Sequence, residues 1–194
     1  MVKGLYAYLK EAWKKPSREM LSDRLIEWRA SNAVVRVEKP LRIDKARALG
    51  YKAKNGIIVV RVRIKRGGRR RRRQGIKGRK SRKTTVRKML KMNHRWVAEI
   101  RASERYQGME VLNSYWIGKD GQHAYYEVIL VDPFAPEIKS DRTLKWLYTG
   151  THIGRTERGL TSAGRKSRGF SSGRGNSPSL KVRPSLRSWN RQGK

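Results

Sequence analysis

The 194-residue sequence contains no cysteine. That excludes a disulfide scaffold and any thiolate-ligated zinc or iron–sulfur centre. Only three histidines occur, at 94, 123 and 152, without the spacing of a metal-ligand set. No apolar run approaches the ~18 residues of a membrane span, and the first fifteen residues have no apolar core of a signal peptide. The protein is therefore expected to stay in the compartment where it is made. Acid is scarce: fifteen Asp and Glu stand against 49 Lys and Arg, a net charge of +34. A chain this charged repels itself and seeks polyanions.

The charge is unevenly placed. Residues 1–64 are net +10, residues 65–88 carry fourteen bases and no acid, residues 89–154 balance, and residues 155–194 are net +10. This division suggests a folded body over 1–154, a basic loop over 65–84 inserted in it, and an extended basic tail over 155–194. The loop reads KRGGRRRRRQGIKGRKSRK over 65–83. Consecutive arginines ~7 Å apart repel by about 0.6 kcal/mol per pair in water. Its glycines remove any helical preference, so no stable structure is expected there until phosphates neutralise it. The tail is rich in Gly, Ser and Arg with isolated apolar residues, and cannot bury a core of its own. Leu160, Phe170, Leu180, Leu186 and Trp189 are its candidate anchors.

Between the basic segments the apolar periodicity is readable. Residues 4–14 and 17–30 predict two amphipathic helices, the second capped by Ser17 after Pro16. Residues 34–37 predict a short strand, and 44–49 a short helix closed by Gly50. IIVVRVRI over 57–64 is the clearest strand, with Ile58, Val60, Val62 and Ile64 on a core face and Arg61 and Arg63 on a basic one. A long helix is expected over about 85–105, capped by Thr84 or Thr85. Strands over 111–117 and 124–131 flank a Gly118–Gly121 hairpin turn, and a short helix from Ser140 or Asp141 reaches Leu147. The class is α/β, a small mixed sheet with helices on its faces. The strand at 57 and the strand at 111 are joined through a helix, which favours a mixed sheet.

Catalytic chemistry has little support. No Ser-His-Asp set or carboxylate cluster can be named, and no metal or cofactor is expected. GLTSAGRKS over 159–167 approaches a phosphate-binding loop, but its lysine is one residue late and no buried strand precedes it. The same glycines and bases suit an extended segment lying along RNA.

Three long stretches carry a resemblance: LRIDKARALGYKAKNGIIVVRVRIKRGGRRRRR over 41–73, VLNSYWIGKDGQHAYYEVILVDPFAPEI over 111–138, and RGLTSAGRKSRGF over 158–170. With the opening GLYAYLKEAWKKP, they resemble the archaeal and eukaryotic large-subunit ribosomal protein fifteen (L15e) family over nearly the whole chain. The ending RPSLRSWNRQGK is similar to the shorter archaeal tail. The resemblance implies a four-stranded sheet with helices on its faces. It also implies a non-enzymatic, cytoplasmic constituent of the large ribosomal subunit. The partners implied are large-subunit rRNA and neighbouring ribosomal proteins, with no membrane and no small-molecule substrate.

The residues expected to bind rRNA follow from the basic segments. In and around the loop they are Arg61, Arg63, Lys65, Arg66, Arg69, Arg70, Arg71, Arg72, Arg73, Lys77, Arg79, Lys80, Arg82, Lys83, Arg87 and Lys88. Nearer the start are Lys45, Arg47, Lys52 and Lys54, expected on the same RNA face as Arg61 and Arg63. In the tail are Arg155, Arg158, Arg165, Lys166, Arg168, Arg174, Arg183 and Arg187. Arginine suits phosphate because its planar fork reaches two oxygens, and Gly67, Gly68, Gly75, Gly164 and Gly173 would let the backbone pass close to RNA. Tyr6, Tyr51 and Trp189 are candidate stacking residues, with core packing the favoured expectation for Tyr6. Two other classes fit the composition: a DNA-compacting architectural protein, which would show Lys-rich helix pairs or minor-groove wedges, and an NTP-using RNA enzyme, which would need a true phosphate loop.

Overall fold

A computed structural model describes residues 3–14, 16–70, 87–88 and 90–170, without the side chains of 69, 70, 87 and 88. Helix α1 (Leu5–Ala12) lies on the surface and buries none of its residues. Ser17 accepts the Met20 amide and starts α2 (Arg18–Ala30), whose one buried side chain is Trp28. Strand β1 (Val34–Val37) and helix α3 (Ile43–Ala48) precede the long strand β2 (Ile57–Lys65). A two-residue ribbon, β3 (Arg69–Arg70) with β4 (Arg87–Lys88), brackets the basic loop. Then come α4 (His94–Arg105), β5 (Glu110–Lys119), β6 (His123–Val131), α5 (Pro136–Lys139), two 3₁₀ turns over 145–148 and 150–152, and α6 (Ser162–Ser167).

The four-stranded sheet has the order β1-β2-β6-β5, and every neighbouring pair is antiparallel. The expected mixed sheet is corrected here. β2 and β5 do run the same way with a helix between them, but β6 is inserted between the two, giving a split β-α-β unit. Lys65 pairs with His123 at one end of the sheet, and Ile57 pairs with Val131 at the other.

Both faces of the sheet are covered. Ala98 and Ala102 of α4 pack on Val60, Val62, Val111, Val128 and Leu130. Small residues on the helix let it approach the branched side chains of the strands. The other face holds Trp28, Ala46, Tyr115, Ile117, Tyr125, Ile129, Ile138 and Leu147. Each such fully buried aliphatic side chain is worth about 1.5–3 kcal/mol over its exposed state. Gly118 in β5 admits the Trp28 ring, since a Cβ there would stand 3.1 Å from it.

α4 begins later than its apolar pattern suggests. Asn93 accepts the Trp96 amide at 2.7 Å and caps the helix there, so the predicted cap at Thr84 or Thr85, outside the described residues, does not start it. The predicted helix over 140–147 is instead a 3₁₀ turn over 145–148, and the short helix α5, with Pro136 in its first turn, ends before it at Lys139.

The chain from 154 to 168 belongs to the body, which moves the expected start of the extended tail. Glu110 accepts the Gly154 amide, Trp96 Nε1 donates to the Thr156 carbonyl at 2.8 Å, and Thr156 and Thr161 are fully buried. The isolated apolar residues of this stretch concealed a segment held by hydroxyls, backbone and glycines rather than by a hydrophobic stripe.

Candidate nucleic-acid interface

The ends of both basic segments meet at the N-terminus of α4. His94, its first residue, lies with Nε2 3.4 Å from the Gly67 carbonyl, where the chain leaves β2 for the loop. The Asn93 amide donates to Ser167 Oγ at 3.0 Å, and its side chain donates to the Ala163 carbonyl at 3.0 Å. So α6, the last described element before residues 171–194, is fastened to the same point. Lys65, Arg165 and Lys166 are exposed nearby, and Arg66, also exposed, donates to the Asp120 and Gly121 carbonyls of the turn between β5 and β6. Lys91, two residues before the cap, is exposed there too; nothing in its sequence setting distinguishes it from other surface lysines.

A three-way packing contact makes this junction. Thr161 accepts the Gly164 amide and caps α6. A Cβ at Gly164 would stand 2.7 Å from the Gly159 Cα, and one at Gly159, whose φ is +66°, would meet Arg168 at 2.9 Å and Trp96 at 3.0 Å. The near-match to a phosphate-binding loop is thereby explained: its glycines serve helix-to-turn packing. Gly164 faces protein, not RNA.

Beneath the junction lies Glu99, fully buried. It accepts hydrogen bonds from the hydroxyls of Ser114 and Thr161, and Arg95 Nε stands 3.9 Å away. Burial pushes its carboxyl up, only partly offset by those hydroxyls and by Arg95 and Arg155. Burial likewise lowers the Arg95 and Arg155 guanidiniums, against the pull of Glu99. No sequence pattern points to Glu99, whose i,i+4 spacing from Arg95 reads as a surface pair.

Several expected RNA contacts are engaged inside the fold. Arg61 is buried, donates to Ser31 Oγ at 3.1 Å, lies 3.6 Å from Glu27 and stacks 5.2 Å from the centre of the Trp28 ring. Burial lowers its guanidinium, and Glu27 and Glu127 oppose that. Arg63 donates to the Trp28 and Arg29 carbonyls at the C-terminus of α2, where a cation offsets the helix dipole. The sheet face read as basic is therefore covered by α2, with these two arginines docking it. Arg155 donates to the Val111 and Leu112 carbonyls, and Arg168 to those of Arg158 and Gly159. Lys52 and Lys54 both donate to Asp141, at 2.8 and 3.0 Å, and these bonds with the Thr143 amide hold its carboxyl well below the usual range.

Other expected contacts are exposed but lie elsewhere. Lys45 and Arg47 sit on α3, over the sheet face away from α4, and Arg47 stacks on Tyr6 and donates to its hydroxyl. Arg158 donates to the Thr151 and Ile153 carbonyls. Tyr51 packs against the core. The side chains of Arg69, Arg70, Arg87 and Lys88 lie outside the described residues, as do Arg71, Arg72, Arg73, Lys77, Arg79, Lys80, Arg82, Lys83, Arg174, Arg183, Arg187 and Trp189.

The histidines do not form a set: His123 lies beside Asp120, and His152 packs edge-on against Trp146. Among the described residues no group of three His, Asp or Glu is placed to hold a metal ion, and no helix is long and apolar enough to cross a membrane.

The model of the family described as Ribosomal L15 matches residues 4–189. Similar proteins include the large ribosomal subunit protein eL15 of Methanocella arvoryzae, 50% identical over the whole of both chains. The proteins of that name from Methanospirillum hungatei and Methanocorpusculum labreanum are also 50% identical, over 96% and 100% of both chains respectively.

Proposed function

The chain belongs to the ribosomal L15 family, and on that premise we propose that it is a non-enzymatic constituent of the large ribosomal subunit that binds and stabilises folded rRNA. Its basic loop and its C-terminal segment carry the binding. The observation that supports this most is the fastening of both segment ends to one point, through Gly67–His94 and Asn93–Ser167. Two stretches with fourteen bases over 65–88 and six over 171–194 thus start from one pole of a rigid body, where rRNA helices approaching one another present the most phosphate. The exposed Lys65, Arg66, Lys91, Arg165 and Lys166 extend that surface onto the body. Arg61, Arg63, Arg155 and Arg168 support it from within. Recognition of this kind reads the shape of the RNA and its phosphates more than its base sequence.

Gradient sedimentation of native extract tests the reading. Co-migration with large subunits that survives moderate salt and is lost on RNase treatment is expected. Migration with chromosomal DNA, or as a free protein of 22.6 kDa, contradicts it.

A further inference from the structure

The far end of the sheet carries a second surface, unlike the first. β6 has nine residues, so its end at Val131 lies about 27 Å from its start at His123. Beyond Val131 three short segments each place an exposed side chain beside a buried anchor. Pro133 is buried and Asp132 accepts the Phe134 amide at 2.9 Å, yet the Phe134 side chain is left 61% exposed. Ile138 fills the core, and Lys139 after it is exposed. Leu144 and Leu147 fill the core, and Tyr148 is left 49% exposed.

The three exposed groups converge. The rings of Phe134 and Tyr148 meet edge to face, 5.9 Å apart at 88°. Lys139 Nζ stands 4.6 Å from the centre of the Tyr148 ring and 5.9 Å from that of Phe134. Among the described residues no carboxylate lies within ion-pair distance of this ammonium. The buried anchors do the core's packing, so ring surface not turned to Lys139 or to the other ring stays exposed on a preorganised frame. What the corner lacks is a flat π surface for a ring and an anion for the ammonium. An unpaired nucleotide supplies both, its base on a ring face and its phosphate at the lysine.

We propose that Phe134, Lys139 and Tyr148 form a stacking site for an unpaired RNA nucleotide, at the end of the body opposite the basic arms. This rests on the rRNA-binding reading and adds to it a contact of different chemistry: the arms hold phosphate by charge, and this corner holds a single base by stacking. The body would then span two places in the RNA.

The test uses the full chain and purified large-subunit rRNA. The F134A/Y148A variant is expected to bind about 5- to 100-fold more weakly with an unchanged salt slope, while Lys139→Gln lowers the slope by about one. Ultraviolet cross-linking of the unaltered chain in native subunits is expected to give a nucleotide adduct within residues 134–148, whatever the fate of the variants. RNA adducts on residues 65–88 with none on 134–148, together with unchanged affinity of the double variant, overturn the stacking site and leave the rRNA reading standing. Cross-links from 134–148 to a neighbouring protein instead make the corner a protein contact and overturn it too. No binding of the full chain to the rRNA overturns both.

Discussion

The Thr161 hydroxyl donates to Glu99 Oε2 across 2.5 Å inside the protein, joining the segment after the second 3₁₀ turn to the middle of α4. Its oxygen also accepts the Gly164 amide at 3.2 Å, so one hydroxyl caps α6 and satisfies a buried carboxylate. Thr161→Val keeps the volume and removes both bonds. The expected loss is about 2–4 kcal/mol, from an unsatisfied buried acceptor together with a lost helix cap. Urea unfolding of the free protein measures it, and a loss below about 0.5 kcal/mol contradicts the role given to this bond.

Glu99 also sets a pH dependence. Burial raises its carboxyl above the ordinary glutamate value of 4.5, so the folded state holds a proton more tightly than the unfolded chain. Ionising it opposes folding, and its contribution to stability falls as pH rises above 4.5 through the raised value. Glu99→Gln, which cannot ionise, is expected to flatten that fall. Melting temperature followed across this range compares the two proteins, and parallel curves would refute the assignment.

Asp141 has the opposite sign. The ammonium groups of Lys52 and Lys54 and the Thr143 amide hold it below its ordinary 3.8, so its stabilisation is complete above that value and is lost as pH falls below it. Asp141→Asn should be less stable near neutrality and show a shallower acid limb than the unaltered chain. Acid titration followed by circular dichroism reads both effects.

The packing of Gly164 against Gly159 leaves no room for a methyl group, since the Cβ would lie 2.7 Å from backbone. Gly164→Ala is expected to cost about 2–4 kcal/mol through overpacking of α6 against the turn before it. Gly121→Ala, in the β5–β6 turn with nothing within 4 Å of its Cβ, should stay within about 0.5 kcal/mol of the unaltered chain. Equal stabilities for the two variants would remove the packing explanation for the glycines.

Strong local signals were legible in the sequence. Ser17 capped the second helix, and the alternation of β2 and the pairing of β5 with β6 followed from apolar spacing, although the turn expected at Gly118–Gly121 falls at 120–122, with Gly118 and Lys119 still paired in β5. Features made by distant partners were not legible. Arg61 alternates with valines as a solvent-facing charge would, and only Ser31, Glu27 and Trp28 show why it is buried. Glu99 is hidden for the same reason, its partners being Ser114 and Thr161. Residues 155–168 carry too few apolar side chains to read as packed, because Trp96, Arg168 and two glycines do the packing there. For the site, composition located the basic segments, but their common point of departure depends on Asn93 and His94, two residues with no distinctive pattern.

The most direct test of the account is the salt dependence of binding between the full chain and large-subunit rRNA, with and without replacement of Arg69–Arg73 by glutamine. Engagement of ten phosphates predicts that log K falls with log salt at a slope of about −7 to −9, and removal of five arginines should bring it to about −3 to −5. A slope near −2 for the unaltered chain, or one that the replacement leaves unchanged, would contradict the claim that the basic loop and C-terminal segment carry the affinity.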